Sequence, residues 1–282
     1  MSWRLEIAHR TLYQYAEPVH SSYNEVRMIP RAGGNQILLS ASVTVNPRAS
    51  LYTYVDYFGT QVTSFDLHRA HDHLEIVSNS HVEVLNYAGP PTAVDWKTLG
   101  GAKIQDDFAE YLMPTPYTEL DPDREQSLAE MIRSAPTPEL GLSNALEWVD
   151  SSLSYQRGIT HVQSRAMEAL QLGKGVCQDF SHLTAAALRA ARIPARYVSG
   201  YLYPGESHSV GEIAVGESHA WVEAWLGRWI GLDPSNRVDH IDQRYVAVAK
   251  GRDYADVPPF TGIYYGGSSA TPMVTVTITR RQ

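Results

Sequence analysis

A chain of 282 residues, 43% hydrophobic and 19% charged, is long enough for one large domain or two unequal ones and has the composition of a folded, lipid-independent protein. A net charge of -8 with scattered Lys and Arg excludes a general nucleic-acid binder, and a lone cysteine excludes an intrachain disulfide framework or an all-cysteine metal site. No apolar run reaches the ~20 residues that span a bilayer, and Met1-Ser2-Trp3-Arg4-Leu5-Glu6 lacks an apolar leader core, so the expected setting is the reducing cytoplasm, where a free thiol stays usable.

Residues 1–85 alternate with period 2 between turn signals, which predicts an all-β unit. Its strands are Trp3 to His9, Gln36 to Val45, Leu51 to Phe58, Val62 to Leu67, Leu74 to Val77 and Ser80 to Val84. The tract His68-Arg69-Ala70-His71-Asp72-His73 fits a polar turn better than a metal site, since no second ligand run shares its spacing. Residues 86–122, with Gly89-Pro90-Pro91 and Met113-Pro114-Thr115-Pro116, are expected to connect this unit to the next.

Residues 123–282 are expected to form a second domain. Helices are predicted near Gln126 to Arg133, Ala145 to Leu153, Ser164 to Leu172 and Ser181 to Ala191, the last packing through Leu183, Ala186, Ala187 and Ala190. Strands follow at Ala195 to Tyr203, Ser218 to Trp225, Arg228 to Leu232, Tyr245 to Ala249 and Met273 to Ile278. Helices followed by strands indicate an α+β fold with the helices packed on an antiparallel sheet. The loop from Gly205 to Glu217, rich in glycine, is expected to be mobile, and Arg252-Asp253 to form an internal ion pair that pins the C-terminal segment.

The only cysteine, Cys177, follows Gly173-Lys174-Gly175-Val176 and precedes a helical run, which puts it at a helix N-terminus, where unpaired N–H groups and the helix dipole stabilise a thiolate. A thiol nucleophile needs a base, and the base needs an orienting group. His219 lies in an alternating strand and shares a face with Trp221, Glu223 and Trp225. A hairpin through Gly227 returns the chain to Asp233, whose carboxylate would fix the imidazole tautomer. Each residue alone also has a structural reading: a small buried thiol, a sheet histidine, a turn aspartate before Pro234.

The blocks Gly173 to His182, Gly200-Tyr201-Leu202, Ser218-His219-Ala220-Trp221-Val222-Glu223 and Trp229 to Ser235 resemble the bacterial transglutaminase-like superfamily. Likewise His9 to Tyr15, Asn24 to Pro30 and Asp56-Tyr57-Phe58-Gly59 resemble its β-rich N-terminal domain, with Thr60 where asparagine is expected, and Gly251 to Pro259 resembles its C-terminal segment. The resemblance implies a papain-like, transglutaminase-like core with Cys177 as nucleophile, His219 as base and Asp233 as orienting carboxylate. It also points to Tyr155 as an oxyanion donor, with a core tyrosine as the alternative. His208 and Trp221 are assigned to the substrate groove, with the core as the alternative for Trp221. The implied activity is acyl transfer on a peptide or protein substrate, hydrolysis being favoured over transfer to an amine, with no cofactor or metal. A catalytically silent interaction module is the reading from outside enzymology.

Overall fold

The computed structural model describes residues 2–86, 94–204, 209–216, 218–267 and 270–282. The chain begins with β1 (Ser2–Val26), β2 (Gln36–Asn46), β3 (Tyr52–Val55), β4 (Gln61–Leu67) and β5 (His71–Leu85). Strand β1 is long enough to pair with β5 along its first half and with β4 along its second. His71 and His73, expected in a turn, are instead the first residues of β5, where His71 donates from Nδ1 to the Arg69 carbonyl (2.9 Å). The Gly89-Pro90-Pro91 turn run lies outside the described residues.

Two short helices, α1 (Trp96–Leu99) and α2 (Ala102–Asp107), occupy the stretch expected to be an irregular connector. Then come α3 (Pro122–Arg133) and α4 (Pro138–Ser152). Each starts with proline, whose fixed φ suits the first helical position, and each is capped by a side chain one residue earlier. Asp121 accepts from the Arg124 N–H (2.9 Å) and Thr137 from the Leu140 N–H (3.3 Å). The strand β6 (Ser154–Tyr155), α5 (Ala166–Leu172) and β7 (Lys174–Gly175) lead to α6 (Cys177–Ala190). Helix α6 is buried on every side from Gln178 to Arg189. It packs against α3, α4 and α5 and, opposite them, against β8 (Ala195–Leu202) and β10 (Ser218–Trp225). Its small residues Ala185, Ala186 and Ala187 permit that close approach on several sides.

Between β8 and β10 the chain forms β9 (Ile213–Gly216); after β10 it forms β11 (Trp229–Leu232) and β12 (Tyr245–Gly251), and it ends with β13 (Phe260–Gly266) and β14 (Met273–Arg280). The smaller sheet is antiparallel in the order β11-β10-β8-β12. The larger sheet has eight strands, and β9, β13 and β14 belong to it. All three come from the stretch expected to lie in the second domain, and β9 falls inside the loop expected to be mobile. The architecture is therefore α+β: an N-terminal β sheet completed by the chain's last strands, and a helix-on-sheet core.

Arg189, near the end of α6, ties these parts together. Buried to 4% exposure, it donates to the Ala195 carbonyl (2.9 Å), to Thr118 Oγ1 (2.9 Å) and to the Arg252 carbonyl. Burial pushes its guanidinium down to about 10, still protonated at neutral pH. Arg189→Met keeps the volume and strands those acceptors in the core; an expected loss of about 3 kcal/mol should appear as a lower urea midpoint with an unchanged m-value.

Candidate active site

Helix α5 ends on Gly173 in the left-handed conformation (φ 63), and β7 then pairs in parallel with β6, Tyr155 opposite Gly175. The chain enters α6 at Cys177. Asp179, the third residue of the helix, folds back so that its Oδ2 accepts from the Val176 N–H (2.8 Å) and the Thr160 hydroxyl (2.7 Å). Gly175 is required for this, because a Cβ there would lie 2.6 Å from the Asp179 Cβ. Burial raises the Asp179 carboxyl above its ordinary value, against those two hydrogen bonds. Together these contacts fix Cys177 in the first helical turn, where backbone N–H groups point out of the helix. The thiol is partly buried and reaches the cleft.

His219 is the second residue of β10 and sits opposite Gly200 of β8. A Cβ at Gly200 would lie 2.1 Å from the Val246 carbonyl and 2.6 Å from the Trp221 ring, so only glycine lets the strands close here. Asp233 follows β11, and the β10–β11 pairing returns it to the His219 end of the sheet. The His219 Nε2 to Asp233 Oδ2 distance is 2.6 Å. Asp233 is completely buried and accepts from five further donors. Oδ1 takes the Ser235 N–H (3.1 Å), the Ser235 hydroxyl (2.8 Å) and the Asn236 N–H (3.2 Å). Oδ2 also takes Asn236 Nδ2 (2.7 Å) and the Tyr245 hydroxyl (2.8 Å).

Burial alone would raise the Asp233 carboxyl; the hydrogen bonds from His219, Asn236 and Ser235 overcome it and hold the group at about 2. Asp233 is then a pure acceptor, so His219 Nε2 carries the proton and donates. Burial lowers the His219 imidazole, but hydrogen bonds and charges from Asp233 and from Cys177 outweigh it and raise it to about 10. With Nε2 committed to Asp233, Nδ1 is the ring nitrogen left for the sulfur. A protonated imidazole between a carboxylate and a thiol can stabilise a thiolate and later release a proton to a leaving group.

These groups open on a cleft of about 370 Å³, walled by Tyr155, Arg157, Leu202, Pro204, Val215 and Gly216. Val215 and Gly216 belong to β9, so the edge of the N-terminal sheet forms one wall, and one residue further the chain enters the strand that carries His219. Tyr155, held by the β6–β7 pairing, lines the same cleft at 48% exposure and is a surface rather than a core tyrosine. Trp221, expected in the groove, is fully buried behind His219, ring centroids 6.3 Å apart. Both faces of β10 are covered, and alternation alone could not show that. His208 lies outside the described residues. Arg252 pairs with Asp256 (2.9 Å), not with Asp253, which instead accepts from the Ala255 N–H (2.7 Å) and caps the turn beginning at Tyr254. Sequence reasoning missed Ser235, Asn236 and Tyr245. The run Asp233-Pro234-Ser235-Asn236 carries a signal for the first two, since aspartate readily accepts backbone N–H groups two and three residues on. Among the described residues no cluster of His, Cys, Asp and Glu could hold a metal ion, and no helix is long and apolar enough to cross a membrane.

Residues 5–83 match the profile of the bacterial transglutaminase-like N-terminal region, and residues 126–234 that of the transglutaminase-like superfamily. An uncharacterised protein of Mycobacterium leprae is 40% identical over 278 residues, covering 99% of both chains. The chain belongs to the bacterial transglutaminase-like superfamily. Within that superfamily it also resembles an uncharacterised Mycobacterium tuberculosis protein, 34% identical over 94% of this chain and 88% of that one. A crystal structure from Cytophaga hutchinsonii, described as a candidate cysteine protease, superimposes with a TM-score of 0.76 at 20% identity, covering 99% of this chain and 98% of that one, and shares the fold. A Pseudomonas aeruginosa protein named protein-glutamine gamma-glutamyltransferase is 35% identical over 101 residues, 33% of this chain and 15% of that protein. The cytoplasmic setting expected from the sequence is corrected here. Similar structures include the periplasmic domain of TgpA from Pseudomonas aeruginosa (TM-score 0.41, 82% of this chain and 90% of that one), and the lack of an apolar leader core does not assign a compartment.

Proposed function

We propose that this superfamily member is a cysteine-nucleophile acyl-transfer enzyme that hydrolyses peptide or amide bonds through a thioester. The observation that carries this reading is the hydrogen bond from His219 to buried Asp233 with Cys177 lining the same open cleft as His219. Cys177 attacks the carbonyl carbon as a thiolate while His219 holds the proton. The tetrahedral oxyanion is met by the Cys177 N–H and the Tyr155 hydroxyl. When the intermediate collapses, His219 gives its proton to the departing amine, and the C–N bond breaks to leave the thioester. Water then attacks the thioester with His219 as base, releasing the acid and restoring the thiol.

The test is release of amine from a library of peptide amides by wild type and by Cys177→Ala. Turnover by wild type alone supports the reading, whereas equal rates, or none with any substrate, leave the interaction module. With a working substrate, Tyr155→Phe is expected to lower kcat by about 100-fold with little change in KM, as removal of one oxyanion donor does. Transfer to an amine is the second reading, supported by the name of the Pseudomonas relative. A primary amine added to that substrate would be incorporated into product under transfer and excluded from it under hydrolysis.

A further inference from the structure

Behind His219, on the face of β10 turned away from α6, lies a second cavity of about 230 Å³. One side is the Arg31–Gln36 turn of the N-terminal sheet, and the other is the four-stranded sheet that carries β10. Gln36 clamps the two together, its Nε2 donating to the Ala247 carbonyl (3.0 Å) and its Oε1 accepting from the Ala247 N–H (2.6 Å). The cavity therefore exists only where the two units meet.

Its charged lining is unbalanced. Arg31, Arg196 and Lys250 face it with Glu223 as the sole carboxylate in the lining. Glu223, at 7% exposure, is already shared: it accepts from Lys250 Nζ (2.8 Å) and from Arg196 Nε (2.6 Å). Arg31 comes in as a third cation and finds only neutral acceptors, the Phe58 carbonyl (2.9 Å) and the Thr60 hydroxyl (3.3 Å). Two positive charges are left uncompensated within the lining. Buried like charges repel strongly in a medium of low dielectric constant. Burial lowers the pKa of both Arg31 and Lys250, with repulsion from Arg196 adding to it and the attraction of Glu223 opposing it. The wall also includes fully buried Trp221, whose indole N–H has no hydrogen-bond partner among the described residues. The exposed turn residues Ala32, Gly33 and Gly34 border the cavity and mark its opening to solvent.

We infer that this cavity binds a small doubly charged oxyanion, a phosphate group, held by Arg31, Lys250 and Arg196. A phosphate dianion matches the surplus of two positive charges in the lining and brings acceptors for the spare donors of Arg31 and Lys250 and for the Trp221 indole. The inference concerns binding alone and stands whether or not the chain transfers acyl groups.

Isothermal titration of the intact wild-type chain with inorganic phosphate, and separately with glycerol 3-phosphate, tests it against sodium chloride at matched ionic strength. Saturable binding of at least one is expected. Preference for the ester would identify the ligand as a phosphorylated metabolite, and preference for inorganic phosphate would identify the free ion. Lys250→Gln is expected to weaken binding by about tenfold, and Glu223→Gln, which removes the competing carboxylate, to tighten it by a similar factor. No saturable binding to wild type beyond the chloride control overturns the inference without recourse to any variant. So does binding that folded Lys250→Gln leaves unchanged.

Discussion

Replacing His219 by alanine is expected to slow alkylation of Cys177 by iodoacetamide about tenfold at about pH 6, and to change the shape of its pH profile more than its height. In the variant no imidazolium faces the sulfur. Labelling should then rise steeply with pH, because hydroxide alone sets how much thiolate is present. In wild type the imidazole keeps its proton up to about pH 10, because Asp233 and Cys177 together outweigh the effect of burial. Wild-type labelling should therefore stay level across the range in which the variant climbs. Peptide-amide turnover should drop by about 10³-fold or more, since proton delivery to the leaving amine is lost together with the nucleophile's counter-charge. Two profiles of the same slope would remove the ion pair from the mechanism and leave His219 a structural residue of the sheet.

How much of this was legible in the chain depended on the range of the signal. Cys177 was visible because its cues are local: glycines before it, a helix after it, no second cysteine in the sequence. Asp233 could be placed beside His219 because a tight turn at Gly227 (φ 79) folds the two strands back on each other, and hairpin geometry can be read from sequence. Strand pairing over long distances could not be read. Met273 to Ile278 alternates as a strand in any sheet, and nothing in that run names Leu5 to Leu12 of β1 as its partner. Residues 213–216 looked like loop because a four-residue strand between glycines carries too little pattern to stand out. Trp221 was misplaced for a related reason: alternation assigns a face, but only the packed structure shows that Trp221 is fully buried on the face turned away from α6. Tyr245, twelve residues beyond Asp233, reaches it from the opposite edge strand of the sheet, a contact without any local sequence cue.

Asp233→Asn is expected to reduce kcat/KM by about 10⁴-fold and at the same time to flatten the dependence of stability on pH. The catalytic loss follows from hydrogen-bond direction. An amide can donate toward Nε2, which favours the wrong imidazole tautomer and leaves Nδ1 carrying a proton when it must accept one. Rotating the amide does not help, because three donors converge on each carboxylate oxygen and an NH₂ group placed at either meets all three. The stability change follows from linkage. His219 has its pKa raised from 6.5 to about 10, so its contribution is complete below about pH 6.5 and is lost as pH rises toward 10. Asp233 has its pKa lowered from 3.8 to about 2, so its contribution is complete above about pH 3.8 and is lost as pH falls toward 2. Wild type should be most stable between these limits, with the urea midpoint falling on both sides. The asparagine variant should lose about 3 kcal/mol on that plateau, as breaking one partner of a buried ion pair does, and little at either extreme. A midpoint-against-pH curve that keeps its wild-type shape in Asp233→Asn would show that the buried pair does not carry the charge its geometry assigns to it.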